Sequence, residues 1–182
     1  MRIIVGLGNP SEQYETTRHN IGYAMIDKAQ KEFGFPEFEF NKKFDAAVSK
    51  GSIGDAEALL VKPQTFMNLS GESVQSILDF YKLTPDDLIV IHDDLDIAAG
   101  KYKVANDSSS AGHNGVQNII DKLSTQKFRR IRIGVGEETA EGAIKCRLGA
   151  HDFVLGKFTT EEKEKISAIE KNILEEIQKL LQ

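Results

Sequence analysis

Ile3-Ile4-Val5-Gly6-Leu7, with Gly8-Asn9-Pro10 directly behind it, is an apolar run closed by a turn signal. A strand that is apolar at consecutive positions has to be covered on both faces, whereas a half-buried strand alternates. Three further runs share the pattern, at 58–61, 88–91 and 131–135, each rich in Ile, Val or Leu and ended by Gly, Pro or Asp. Between them apolar residues recur at helical spacing: Ile21, Ala24, Met25 and Ala29; Val74, Ile77, Leu78 and Tyr81; Val116, Ile119, Ile120 and Leu123. Strands alternating with helices predict a three-layer α/β/α fold. Residues 44–61, with Gly51 and Gly54 at their middle, read as a hairpin, so the twisted sheet is expected to be mixed. Thr159 and Glu162 form a capping box ahead of the stripe Ile166, Ile169, Ile173, Leu174, Ile177 and Leu180, which predicts an amphipathic helix. Thr84-Pro85-Asp86 is a local helix start, with Thr as N-cap and Pro at the first helical position. Without repeats, low-complexity segments or linkers, residues 1–182 read as a single domain.

Composition narrows the class. The 182 residues, 40% hydrophobic and 28% charged, match an ordinary globular protein and exclude disordered and collagen-like chains. The single Cys146 excludes an internal disulfide and argues against a cysteine-built zinc site. No apolar run approaches ~18 residues, and the sequence opens on a strand in place of a basic leader, so a cytoplasmic protein without membrane contact is expected. With 23 basic against 28 acidic residues the net charge is −5, which on average repels polyphosphates.

In an open α/β sheet, ligands bind outside the carboxyl ends of the strands. Behind the first run stand Asn9, Tyr14 and Thr17-Arg18-His19-Asn20; behind the second, Lys62-Pro63 and Phe66-Met67-Asn68; behind the third, His92-Asp93-Asp94-Leu95-Asp96, read as a loop; and a polar stretch at 106–110 leads to Gly112-His113-Asn114-Gly115. A histidine with a pKa near 6.5 can take a proton from water, and a carboxylate can fix its tautomer. Asparagine amides can hold a carbonyl or an oxyanion without adding charge. Together these groups suit water-mediated attack on an ester or amide. Gly6-Leu7-Gly8 fails as a dinucleotide fingerprint because Ser11 stands where the third glycine belongs. His92, Asp93, Asp94, Asp96 and His113 could be drawn as a metal site, but the Asp-rich run reads equally as a solvated turn, and no metal is expected. Cys146, between Lys145 and Arg147, lacks an assignable base and is not read as a nucleophile.

On these residues the chain resembles the bacterial-type peptidyl-tRNA hydrolases. The matching stretches are Val5-Gly6-Leu7-Gly8-Asn9-Pro10, Thr17-Arg18-His19-Asn20-Ile21-Gly22, Thr65-Phe66-Met67-Asn68-Leu69-Ser70-Gly71, His92-Asp93-Asp94-Leu95-Asp96, Gly112-His113-Asn114-Gly115, Phe128-Arg129-Arg130-Ile131-Arg132 and Asp152-Phe153-Val154-Leu155-Gly156. The resemblance implies hydrolysis of the ester joining a peptide's carboxyl terminus to the 3′ ribose of tRNA, by a monomer that needs no cofactor. It implies that His19 is the general base and Asp93 its orienter. It further implies that Asn9, Asn68 and Asn114 hold the substrate and the oxyanion, while Tyr14, Phe66, Met67 and His113 line the cleft.

Two departures stand out. Val104-Ala105-Asn106-Asp107-Ser108-Ser109-Ser110-Ala111 replaces a glycine-rich loop with a preceding basic residue, which leaves a tRNA contact in question. Ser11 stands where glycine is common; as a turn position it is expected to alter little. Basic residues gather between 122 and 147, and at physiological salt distant acids are screened beyond ~8 Å, so a local patch can bind phosphate whatever the total charge. Lys101, Lys103, Arg129, Arg130 and Arg132 are the candidates, although strand alternation places Arg130 and Arg132 on one face and Arg129 on the other. A non-catalytic RNA-binding relative and a hydrolase of peptides or small molecules are the alternatives.

Overall fold

The computed structural model describes residues 1–145 and 149–182; Cys146 and Arg147 lie outside the described residues. Seven strands run side by side in one mixed sheet. They are β1 (Arg2–Gly6), β2 (Glu39–Asn41), β3 (Ala46–Ile53), β4 (Ala56–Pro63), β5 (Leu88–Ala98), β6 (Tyr102–Asn106) and β7 (Arg129–Glu138). The order is β2-β3-β4-β1-β5-β7-β6, and a short β8 (Ile144–Lys145) pairs with β7. β4, β1, β5 and β7 are mutually parallel, while β3 and β6 extend the sheet antiparallel on either side.

Alternation explains the three layers. Ile4, Leu60, Ile89, Ile91, Ile131 and Ile133 point to one face, where they meet α1 (Ile21–Glu32) and α5 (Thr160–Leu180). Ile3, Val5, Leu59, Val61, Leu88 and Val90 point to the other and meet α2 (Ser70–Tyr81) and α3 (Asn114–Leu123). A five-residue α4 (Ala150–Val154) packs Phe153 and Val154 against Val135. The continuous apolarity of the central strands is therefore two cores written into one segment. No helix among the described residues is long and apolar enough to cross a membrane.

The hairpin forms as β3 and β4, turning at Gly54 with φ 59°, while Gly51 falls inside β3. The α5 capping box forms: Thr159 accepts from the Glu162 N–H at 3.2 Å, and Glu162 accepts from the Thr159 N–H at 2.7 Å. Thr84-Pro85-Asp86 starts only a single turn, Pro85–Asp87, before the chain enters β5. Two segments differ from the expectation. His92-Asp93-Asp94-Leu95-Asp96 is not a loop but the second half of β5, whose pairing with β7 runs through Asp94↔Gly134 and slips before Ala98. Its polar side chains are tolerated because they bond one another and the site. Val104, Ala105 and Asn106, read as the start of a loop, belong to the edge strand β6; one side of an edge strand carries no partner, so its sequence can stay polar.

Ser11 is also more than an ordinary turn residue. It adopts φ 92° and ψ 147°, a region open essentially to glycine alone.

Candidate active site

The carboxyl ends of β1, β4 and β5 bring four segments to one edge of the sheet. The first carries His19 in a short turn, Arg18–Asn20, that runs into α1. α1 reaches β1 closely enough for this because Gly6 and Gly22 face each other: a Cβ on Gly6 would lie 2.2 Å from the Gly22 carbonyl oxygen, and one on Gly22 would lie 2.4 Å from that of Ile91. β5 carries Asp93 into the same space, and the N-terminus of α3 brings His113.

Asp93 is 2% exposed, and its Oδ1 is the centre of the site. It lies 2.8 Å from Nδ1 of His19 and 3.1 Å from Nε2 of His113. His113 is the N-cap of α3: its Nδ1 accepts from the backbone N–H groups of Gly115 (3.1 Å) and Val116 (3.2 Å). An Nδ1 that accepts has no proton, so Nε2 carries it and donates to Asp93. His19 donates to the same oxygen through Nδ1–H, which leaves its Nε2 with a free lone pair. Burial alone would push the Asp93 carboxyl up; the charges of His19 and His113 and the hydrogen bonds both donate outweigh it and hold the group far below the ordinary carboxylate range.

His92 stands behind this pair, fully buried, with Nδ1 2.7 Å from the Asp93 carbonyl oxygen and its ring edge-on to His113 at 4.8 Å. Burial first, then the neighbouring His113, keep its imidazole well below 6.5, against the pull of Asp93. The expected solvated Asp-rich turn is thus a buried strand segment: Asp94 is 5% exposed and binds Arg132 Nε at 2.7 Å. Only Asp96 of the run is exposed.

His19, Asp93 and His113 also place three potential metal ligands within 4.8 Å of one another. Their hydrogen bonding accounts for the cluster differently. The nitrogens that face Asp93 are donors, and the Nε2 of His113 has no lone pair to give while its Nδ1 caps a helix.

A cavity of about 310 Å³ opens at the cluster, lined by His19, Asp93, His113 and Asn114 together with Ala150, His151 and Val154 of α4. Asn9 does not line this cavity and is 8% exposed: its Oδ1 accepts from Met67 N–H at 2.9 Å, and the Asn20 side chain holds its backbone N–H and C=O, each at 2.9 Å. Met67 is buried under the first turn of α3, against Gly115. Asn68 and Asn114 are exposed, as is Phe66 at 58%; Tyr14 is half-buried, and Tyr14, Phe66 and Asn68 do not line this cavity.

The basic candidates divide. Arg130 is fully buried, donates to the Ser108 and Ser109 carbonyls, and is pushed down to about 10 by burial and by Arg132. It cannot reach a phosphate from there, which corrects its reading as a surface contact. Arg129 donates to the Leu180 carbonyl at 2.6 Å, on the opposite face from Arg130 and Arg132 as alternation requires. Lys101 is exposed and paired with Glu138 at 3.2 Å, and Lys103 is exposed on β6.

Sequence reasoning passed over Asn20, Arg18 and the α4 wall. Asn20 and Arg18 flank His19 in one motif, but the partners that give them roles lie 11 and 144 residues away, and no spacing signals that.

Comparison with known proteins shows the family and the fold. A family model described as peptidyl-tRNA hydrolase matches residues 3–182. The peptidyl-tRNA hydrolase of Brevibacillus brevis is 45% identical over 163 residues, covering 90% of this chain and 82% of that protein. That of Clostridium beijerinckii is 45% identical over 163 residues, covering 89% and 80%. The crystal structure of peptidyl-tRNA hydrolase from Acinetobacter baumannii superposes with a TM-score of 0.87 at 31% identity, over 100% of this chain and 88% of that one. With a family model over nearly the whole chain, relatives at 45% identity and the same fold, the chain belongs to the peptidyl-tRNA hydrolase family of enzymes.

Proposed function

We propose that the chain cleaves the ester between the carboxyl terminus of a peptide and the 3′ ribose of tRNA, with His19 as general base. One observation carries this reading: Asp93 Oδ1 accepts from both imidazoles, so His19 Nε2 is left as the proton acceptor beside the cavity. A water bonded to Nε2 loses a proton to it as its oxygen attacks the ester carbonyl. The imidazolium that forms is stabilised by Asp93 at 2.8 Å. The tetrahedral intermediate then expels the 3′ oxygen, which takes the proton back from His19. The products are tRNA with a free 3′ hydroxyl and a peptide carboxylic acid, which gives its proton to water to become the carboxylate.

The side-chain amide of Asn114, which lines the cavity, supplies an uncharged donor for the developing oxyanion, and the family resemblance assigns the same duty to Asn9 and Asn68. Among the described residues, none of these three amide nitrogens has a hydrogen-bond partner. Phe66, open to solvent at the mouth of α2, offers an apolar surface to the peptide or the terminal base. Backbone phosphate is assigned to Lys103 and Lys101, supported by the exposure of both; Lys101 would exchange its pairing with Glu138 at 3.2 Å for the phosphate.

The test is hydrolysis of N-acetyl-aminoacyl-tRNA by the purified protein. His19→Ala is expected to lose at least ~10²-fold in kcat with the fold intact by circular dichroism, the usual contribution of a positioned general base. Normal turnover by folded His19→Ala would refute the assignment.

A further inference from the structure

Arg18 precedes His19 and does not line the cavity, and its guanidinium is almost wholly withdrawn from water. Its Nε and Nη2 bind the two oxygens of Glu162 at 3.0 and 2.8 Å, with the side chains 9% and 12% exposed. Nη1 donates to the Phe153 carbonyl at 3.3 Å, and the planar group lies 4.3 Å over the Phe153 ring. The backbones are joined as well: Arg18 N–H donates to the Gly156 carbonyl (3.0 Å), Phe158 N–H to that of Thr16 (3.3 Å), and Thr17 bridges Lys157. Gly156 permits the approach, since a Cβ there would lie 2.8 Å from Nη1.

Phe153 belongs to α4, whose Ala150, His151 and Val154 line the same cavity as His19, and Glu162 lies in the first turn of α5. The His19 turn and the α4 lining of the cavity are therefore joined through one side chain. Withdrawing an ion pair from water costs several kcal/mol per ion, and apolar residues of similar volume often stabilise a core as well or better. Stability alone does not account for a buried fork; its two-oxygen geometry fixes orientation as a hydrophobic contact cannot.

We infer that Arg18 is a positioning residue: clasped to Glu162 and Phe153, it sets the spacing between the His19 turn and the α4 wall. The inference rests on His19 being the base. It predicts a change in the chemical step beyond any loss of stability, because a misplacement of about 1 Å can cost up to ~10²-fold in rate.

The test compares four variants in the N-acetyl-aminoacyl-tRNA assay, well below their melting temperatures. Arg18→Lys keeps the charge and loses the fork; it is expected to lower kcat about tenfold with KM within about twofold. Glu162→Gln keeps an acceptor for the Thr159 N–H and removes the ionic pairing; a smaller drop in kcat, about threefold, is expected, and this variant carries the test if Arg18→Lys does not fold. Thr159→Ala breaks the reciprocal cap and spares the pair; its melting temperature falls and its kcat holds. His19→Ala is the reference. If it is inactive while Arg18→Lys and Glu162→Gln turn over normally, the positioning role is overturned and the base stands. If Thr159→Ala slows as much as Arg18→Lys does, the effect is one of stability and the positioning role again falls. Activity in folded His19→Ala would remove the base itself, and with it the inference.

Discussion

A single carboxylate oxygen receives two imidazole N–H groups, and this unequal sharing decides which histidine can act. His113 spends its second nitrogen on the first turn of α3, whereas the second nitrogen of His19 stays available. Two histidines alike in the sequence thus have opposite tautomeric duties, and only the helix N-terminus tells them apart. Ser11 illustrates a different cost at the same scale. At φ 92° and ψ 147° its Cβ imposes about 1–3 kcal/mol of strain. Ser11→Gly relieves that strain and gives up part of it to the extra freedom of the unfolded chain, so a net gain of about 1 kcal/mol is expected. In a chain of this length that raises the melting temperature by ~2–4 °C, measurable by calorimetry; an unchanged or lower value would contradict it. His19 and Asp93 were singled out by residue type and by their place behind strands and His113 by its place at a helix start, while their roles came only from the family resemblance. What could not be read was the pairing: nothing in the sequence says that Asn20 grips the backbone of Asn9, or that Arg130 turns inward to the Ser108 and Ser109 carbonyls.

Elements were read most securely where periodicity and burial coincide. The central strands, the β3–β4 hairpin, α1, α2, α3 and the capped α5 all follow from the apolar pattern. β5 exceeded its expected length because polar residues were taken to end it, and yet His92, Asp93 and Asp94 each find partners inside the protein. β6 escaped because an edge strand has little apolar signal to give. The junction of α1 with β1 depends on backbone touching backbone at Gly6 and Gly22. In Gly22→Ala the new Cβ would fall about 2.5 Å from Leu7 N and Leu7 O, and main chain cannot yield as a flexible side chain does. Overpacking there is expected to cost about 3 kcal/mol, lowering the midpoint of urea unfolding. Since α1 continues from the His19 turn, kcat should fall as well; a variant with wild-type stability and rate would show that α1 does not need this approach.

For the whole molecule, two buried groups tie stability to pH in separate windows. The folded His92 imidazole takes a proton far less readily than in the unfolded chain. The unfolded state therefore binds more protons below about 6.5, and stability falls as pH drops through that value by up to ~1.4 kcal/mol per unit. Asp93 acts lower down: its folded value is depressed, so its contribution is complete above the ordinary carboxylate range and is lost below about pH 4. Urea unfolding at pH 7, 6 and 5 should show this decline, and it should flatten in His92→Asn, which can still donate to the Asp93 carbonyl; an equal slope in both proteins would rule His92 out. The net charge of −5 is also better understood with the fold in view, because Arg18, Arg129, Arg130 and Arg132 all face inward partners. The sheet order has a further consequence, for assembly. β1 lies between β4 and β5 and pairs with residues 58–61 and 88–91, so its Ile3, Ile4 and Val5 have no strand partners until those later strands have left the ribosome. The segment that begins the fold in sequence is completed late in time, and until then its unpaired edges need protection from other chains.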